Sequence, residues 1–83
     1  MPFTEYERIS DITDVVTIAK GAGVDIHHYL NHTFGRGNWR KLKGIARVEY
    51  ENGEIWQAEI HWYEAHGIGR RLEKVKRNIR RLA

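Results

Sequence analysis

Leu42-Lys43-Gly44-Ile45-Ala46-Arg47-Val48-Glu49-Tyr50, then Glu51-Asn52-Gly53, then Glu54-Ile55-Trp56-Gln57-Ala58-Glu59-Ile60-His61-Trp62-Tyr63, is the stretch that decides the fold. In the first run Leu42, Gly44, Ala46, Val48 and Tyr50 share one face, and Lys43, Arg47 and Glu49 share the other. In the second, Trp56, Ala58, Ile60 and Trp62 oppose Gln57, Glu59, His61 and Tyr63. Such alternation lets a strand bury one face and wet the other, so 42–50 and 54–63 are read as an antiparallel hairpin. The faces also set the turn. A two-residue Asn-Gly loop would place apolar even positions opposite polar odd ones. A three-residue turn at 51–53 sets Tyr50 against Glu54, unites the apolar faces and gives Gly53 the left-handed position of a G1 bulge. In that register Lys43 opposes His61, Lys41 opposes Tyr63 and Arg47 opposes Gln57, with Glu59 two positions from His61. One sheet face thus gathers cations, an imidazole, a phenol and a carboxylate.

Outward from the hairpin the periodicity changes. Residues 3–9 alternate and suggest a short edge strand. Ser10 or Asp11 then caps a run in which Ile12, Val15, Val16 and Ala19 recur at helical spacing up to Gly21, although Val15-Val16-Thr17-Ile18 would also suit a strand. After Gly21-Ala22-Gly23, Asp25 caps a second short helix whose stripe is Ile26, Tyr29, Leu30 and Phe34, closed by Gly35-Arg36-Gly37-Asn38. At the other end Ile68, Leu72, Val75, Ile79 and Leu82 fall in one helical stripe, whereas residues 70–77 show no two-residue period. The spacing predicts a basic amphipathic C-terminal helix, with a third strand as the alternative. The expected architecture is α+β: two short N-terminal helices and the C-terminal helix packed on the Trp56/Trp62 face of the hairpin.

The chain of 83 residues suits a single domain, 1–83, and its nine aromatics would supply most of a small core. It has 14 Lys+Arg, 11 Asp+Glu and no cysteine, which excludes disulfides and thiolate metal sites and fits a reducing cytoplasm. Neither a membrane span nor a secretory leader is expected from its apolar runs. The charge is graded: residues 1–34 carry a net −3 and residues 70–83 a net +6, where seven basic side chains face Glu73 alone. Such a block contacts nucleic acid or an acidic partner, or is simply a solvated face.

Cleavage of RNA without a metal needs a base for the 2′-hydroxyl, an acid for the leaving oxygen and cations for the phosphorane. His61 or Glu59 is the candidate base, His61 or His66 the candidate acid, and Lys43, Arg47 and Arg70 the clamp. An ordinary solvent-facing sheet surface is the competing account. Gly67 and Gly69, ahead of Arg70 and Arg71, would aim backbone N–H groups at a phosphate if a helix began there. Lys41, Lys74, Arg77 and Arg80 extend the basic surface. His28 and His32 have helical spacing for a shared metal, with His27 nearby, but no Glu stands as in the zinc-protease motif and there is no cysteine, so they are read as exposed polar-face histidines and no metal or other cofactor is assigned. Trp56 and Trp62 are assigned to the core, leaving Trp39, beside Arg36, Arg40 and Lys41, to face a ligand.

A possible first strand, two helices, a hairpin opened by Lys41-Leu42-Lys43-Gly44, His61, and the Arg70/Arg71 pair together resemble the small bacterial ribonuclease fold of RelE/ParE-type toxins, barnase and the colicin ribonucleases. The resemblance implies RNA as substrate and a neutralising antitoxin or immunity partner. The expected function is a small cytoplasmic RNA-binding domain, with metal-independent ribonuclease activity of toxin type as its sharper form. The alternative is a non-enzymatic module that docks an acidic protein or pairs with itself as a homodimer.

Overall fold

A computed structural model describes residues 5–83 of the chain. Its elements in order are β1 (Tyr6–Arg8), β2 (Thr13–Lys20), a single 3₁₀ turn (Gly21–Gly23), α1 (His27–Phe34), β3 (Arg40–Tyr50), β4 (Ile55–Ala65) and β5 (Gly69–Arg81). All the strands belong to one antiparallel sheet in the order β1-β3-β4-β5, with β2 also paired to β3. β1 and β2 follow one another along the same edge of β3, against residues 48–50 and 40–45 respectively. Where they break, the Ser10 hydroxyl oxygen accepts the Arg47 N–H at 2.8 Å in place of a ladder carbonyl.

The β3–β4 hairpin has the register that the alternation requires, with Lys43 opposite His61, Lys41 opposite Tyr63 and Arg47 opposite Gln57. Tyr50 N–H donates to the Glu54 carbonyl at 3.0 Å and Gly53 N–H to the Tyr50 carbonyl at 2.9 Å, closing the three-residue turn. Gly53 has φ +87°, a left-handed conformation that glycine adopts without penalty.

The expected pair of N-terminal helices and the C-terminal helix are corrected. Residues 13–20 are strand, residues 69–81 are strand, and α1 is the single α-helix among the described residues. At the C-terminus the cause is visible in the register. β5 gains one residue on β4 at three places: between the partners of Gln57 and Ala58, of Glu59 and Ile60, and of His61 and Tyr63. Each β-bulge shifts the phase, so the residues facing Gln57, Glu59, His61 and Tyr63 are Arg80, Arg77, Lys74 and Arg71. A two-residue period on β4 becomes a three-residue period on β5, which a sequence reader takes for a helix. Leu72, with φ +57°, and Ile79 lie at bulges and stay exposed; of the supposed apolar stripe Val75 is buried, at 6% exposure, and Ile68 packs half-buried against the cluster around Trp39. In β2 the β-branched residues do form a strand, but an edge strand: Val15, Val16 and Ile18 remain exposed. It has no buried face to print an alternation, and Asp14, at φ +54°, lies in a register shift between Thr13 and Val16. Of the expected strand at 3–9, residues 3 and 4 lie outside the described residues.

Two cores form on opposite faces. Leu42, Ala46, Val48, Ala58, Ile60, Trp62 and Val75 make the first, on the even-numbered face of the hairpin. None of the described helices covers this face, contrary to expectation. The sheet curls over it until its outer strands meet: Tyr6 Oη donates to Glu73 Oε2 at 2.9 Å, Arg8 Nε approaches Glu73 at 3.4 Å, and Tyr50 Oη donates to Asn78 Oδ1 at 2.6 Å. The second core lies at the far end of the odd-numbered face, where Val24 and Leu30 close over Trp39 and Ala65. Asp25 does not cap α1; Ile26 holds the N-cap position with no side-chain hydrogen bond. Trp39 is fully buried and donates Nε1–H to the Gly35 carbonyl at 3.1 Å, so the tryptophan expected to face a ligand is a core residue.

Candidate functional site

The odd-numbered face outside α1 is a grid set by two registers. β4 supplies the middle column: Tyr63, His61, Glu59 and Gln57. Beside it on β3 stand Lys41, Lys43, Ile45 and Arg47. On its other side stand Arg71, Lys74, Arg77 and Arg80 of β5. Seven of the eight flanking positions are therefore cationic. Neighbouring strands lie about 4.8 Å apart, so the two flanking columns are separated at their backbones by about 9.6 Å.

Few of these charges are neutralised. Lys41, Lys43, Arg47, Arg71, Lys74 and Arg80 have no carboxylate ion-pair partner among the described residues. Lys41 Nζ lies 5.7 Å from the centre of the Tyr63 ring, and the Arg71 guanidinium 5.4 Å from that of Phe34 on α1. Arg77 is the exception, with Nε 2.9 Å from Glu59 Oε1. The other Glu59 oxygen lies 2.6 Å from His61 Nε2. The hydrogen bonds from His61 and Arg77 hold the Glu59 carboxyl below its ordinary pKa.

The candidate catalytic residues are not brought together as a base and an acid. His61 and Glu59 touch, but His61 is 8% exposed, its Nε2 is engaged by Glu59, and its buried Nδ1 meets no hydrogen-bonding partner. His66 lies in the β4–β5 turn, five residues along the chain or roughly 16 Å in extended strand, on the rim of a separate depression lined by Thr17, Lys20, Asn38 and Arg40. Arg70 and Arg71 diverge. Arg71 opposes Tyr63 in the grid, whereas Arg70 opposes Glu64 and lies 5.3 Å from the centre of the Trp62 ring, on the other face. Gly67 and Gly69 both have positive φ, but they lead into a strand, so the helix terminus expected to hold a phosphate is absent there.

Sequence reading missed an acidic counterpart. β1 pairs Glu7 directly with Glu49, and Glu5 with Glu51 lines the same corner beside the hairpin turn. A hydrogen bond to Glu5, and its charge, raise the Glu51 carboxyl pKa. The signal was available, since Glu5 and Glu7 alternate with Tyr6 as Glu49 and Glu51 alternate with Tyr50. Charge on this face therefore runs from acidic beside β1 to basic along β5.

The ionisable contacts give a two-sided pH dependence. Glu59 has a folded-state pKa below its ordinary 4.5, so its contribution to stability is present above that pH and is lost as pH falls through the folded value. Tyr6 runs the other way. Burial first, then the hydrogen bond to Glu73 and its charge, push its phenol above the ordinary 10.0, so the unfolded chain ionises first and stability falls as pH rises past 10.0. Urea denaturation across pH 3–11 should show both limbs. Glu59→Gln should flatten the acid limb and Tyr6→Phe the alkaline one.

No family model, curated protein or solved structure matches this chain. None of the described helices is long and apolar enough to cross a membrane.

Proposed function

We propose that this domain binds RNA through its phosphate backbone on the odd-numbered face of β3, β4 and β5. The observation that carries the reading is the pair of cationic columns flanking β4, which the bulges of β5 complete. Cations without carboxylate partners exchange bound counterions for phosphates, and the release of those counterions drives association. The same chemistry makes binding weaken steeply with salt. Binding is favoured over cleavage, because His61 presents no accessible ring nitrogen to a ribose hydroxyl, with Nε2 held by Glu59 and Nδ1 buried, and His66 stands apart from it.

The test is filter binding of labelled RNA at two salt concentrations, in EDTA, with the products run on a gel. The fourfold variant Lys43→Ala/Arg47→Ala/Lys74→Ala/Arg80→Ala removes partly or fully exposed side chains, so its fold should persist by circular dichroism. It is expected to bind at least about 100-fold more weakly, since each lost phosphate contact removes part of the counterion release. RNA binding by the wild type that is absent even at low salt would sink the proposal and leave an acidic protein as the partner to seek. Cleavage by the wild type that His61→Ala abolishes would instead establish the ribonuclease.

A further inference from the structure

The grid has a pitch as well as a charge. Arg71, Lys74, Arg77 and Arg80 face alternate residues of β4, so their backbone positions recur about every 6.8 Å and span about 20 Å in a nearly straight line. Lys41, Lys43 and Arg47 repeat the pitch on β3, missing only the row that holds Ile45. That interval is close to the separation of successive phosphates on an extended single strand. A duplex strand winds away from any straight line, and phosphates joined through a shared oxygen, as in inorganic polyphosphate, recur much closer together.

Two further features restrict how a polyanion can lie. The Glu5/Glu7/Glu49/Glu51 corner repels it from the β1 edge, so it cannot run across the strands toward β1. The floor of the groove offers little for reading bases: His61 is buried, Glu59 is occupied by His61 and Arg77, Tyr63 packs partly into the second core, and Gln57 is a single half-buried amide at one end of the column.

We infer that the ligand is an extended single-stranded nucleic acid lying along β4 between the two cationic columns, with one phosphate per row and no base-sequence preference. The inference rests on the RNA-binding reading of this face and narrows it. The four rows hold four phosphates. The third row is the weakest, because its one cation, Arg77, is bonded to Glu59.

Fluorescence anisotropy with labelled oligonucleotides tests it, using single-stranded RNA and DNA of four to twelve nucleotides and mixed sequences, a blunt RNA duplex, and inorganic polyphosphate as competitor. Single strands of either sugar are expected to bind at least tenfold more tightly than duplex, with little change between sequences. Affinity should stop rising steeply beyond about five nucleotides, because four rows accept four phosphates. With the phosphates of the three rows that hold unpaired cations neutralised, log affinity should fall against log salt with a slope of about −2.1, at about 0.7 per phosphate on single strands. Lys43→Ala/Lys74→Ala and Arg47→Ala/Arg80→Ala, which each empty one row of its cations, should each reduce that slope by about 0.7 and weaken all sequences alike, while Arg77→Ala changes it least. RNA binding with equal affinity for duplex, or with a slope unmoved by Lys43→Ala/Lys74→Ala, would overturn the single-strand geometry and leave the RNA-binding reading standing. Failure of every oligonucleotide to bind at low salt would overturn both.

Discussion

Trp39→Ala is expected to cost about 3–5 kcal/mol, the range for truncating a fully buried tryptophan. For a domain of this size the whole folding free energy is only about 4–12 kcal/mol, so the variant should be near its unfolding midpoint at modest urea concentrations. The reason for so large an effect is that Trp39 joins parts that have little else in common. It immediately precedes β3, lies under Leu30 and Phe34 of α1, and shares its cluster with Val24 and with Ala65 at the end of β4. α1 has eight residues, too few for an isolated helix to persist in water, so it depends on this contact. Hydrogen exchange should therefore report α1 opening before the β3–β4 ladder. Trp56→Ala is the comparison. Trp56 is only partly buried at the margin of the other core, so a smaller loss is expected and α1 should keep its protection. Equal losses from the two variants, or equal protection of α1, would contradict the division into two cores.

Gly44→Ala should destabilise the fold by about 1–3 kcal/mol despite adding a single methyl group, as overpacking of a tight core does. The added Cβ would overlap Ile12 Cγ2 and stand 2.9 Å from the Thr13 carbonyl oxygen. Neither neighbour gives way easily, because one is the branch of a β-branched side chain and the other is backbone. The connection between β1 and β2 crosses the even-numbered face of β3 here, at the single hairpin position on that face without a side chain. An alanine would gain up to about 1 kcal/mol by restricting the unfolded chain, less than the overlap costs. The double variant Ile12→Ala/Gly44→Ala should recover part of the loss, with a coupling of about 1 kcal/mol in a thermal or urea cycle. Additive effects would show that the crossing is looser than the packing implies.

What the sequence displays depends on whether an element has one buried face in unbroken phase. The hairpin meets that condition. Leu42 through Trp62 alternate without interruption, so strand pairing, turn length and the Lys43–His61 and Arg47–Gln57 oppositions are all legible. β5 does not, because its bulges turn alternation into a three-residue repeat that mimics a helix. β2 fails differently, being an exposed edge with nothing to alternate against. The candidate site divides along the same line. Its β3 and β4 columns can be read from the hairpin alone, whereas Arg71, Lys74, Arg77 and Arg80 join them only once β5 is known to be a bulged strand. Trp39 misleads for another reason: its charged sequence neighbours say nothing about α1 folding over it from the preceding segment.

The bulges of β5 also decide what changes in chain length the domain can absorb. An ordinary edge strand that loses a residue slips and re-pairs with its neighbour. Here each bulge already carries a residue with no partner on β4, so removing Lys76 would leave Val75 opposite Ile60 and Arg77 opposite Glu59, and every side chain would keep its face. What is lost is the local twist that the bulge adds. Substitutions at Leu72, Lys76 and Ile79 should be widely tolerated, since these positions have little packing to lose, and single deletions there should be the ones β5 absorbs best. The strand thus holds three places where a residue can be dropped without moving a cation out of its column.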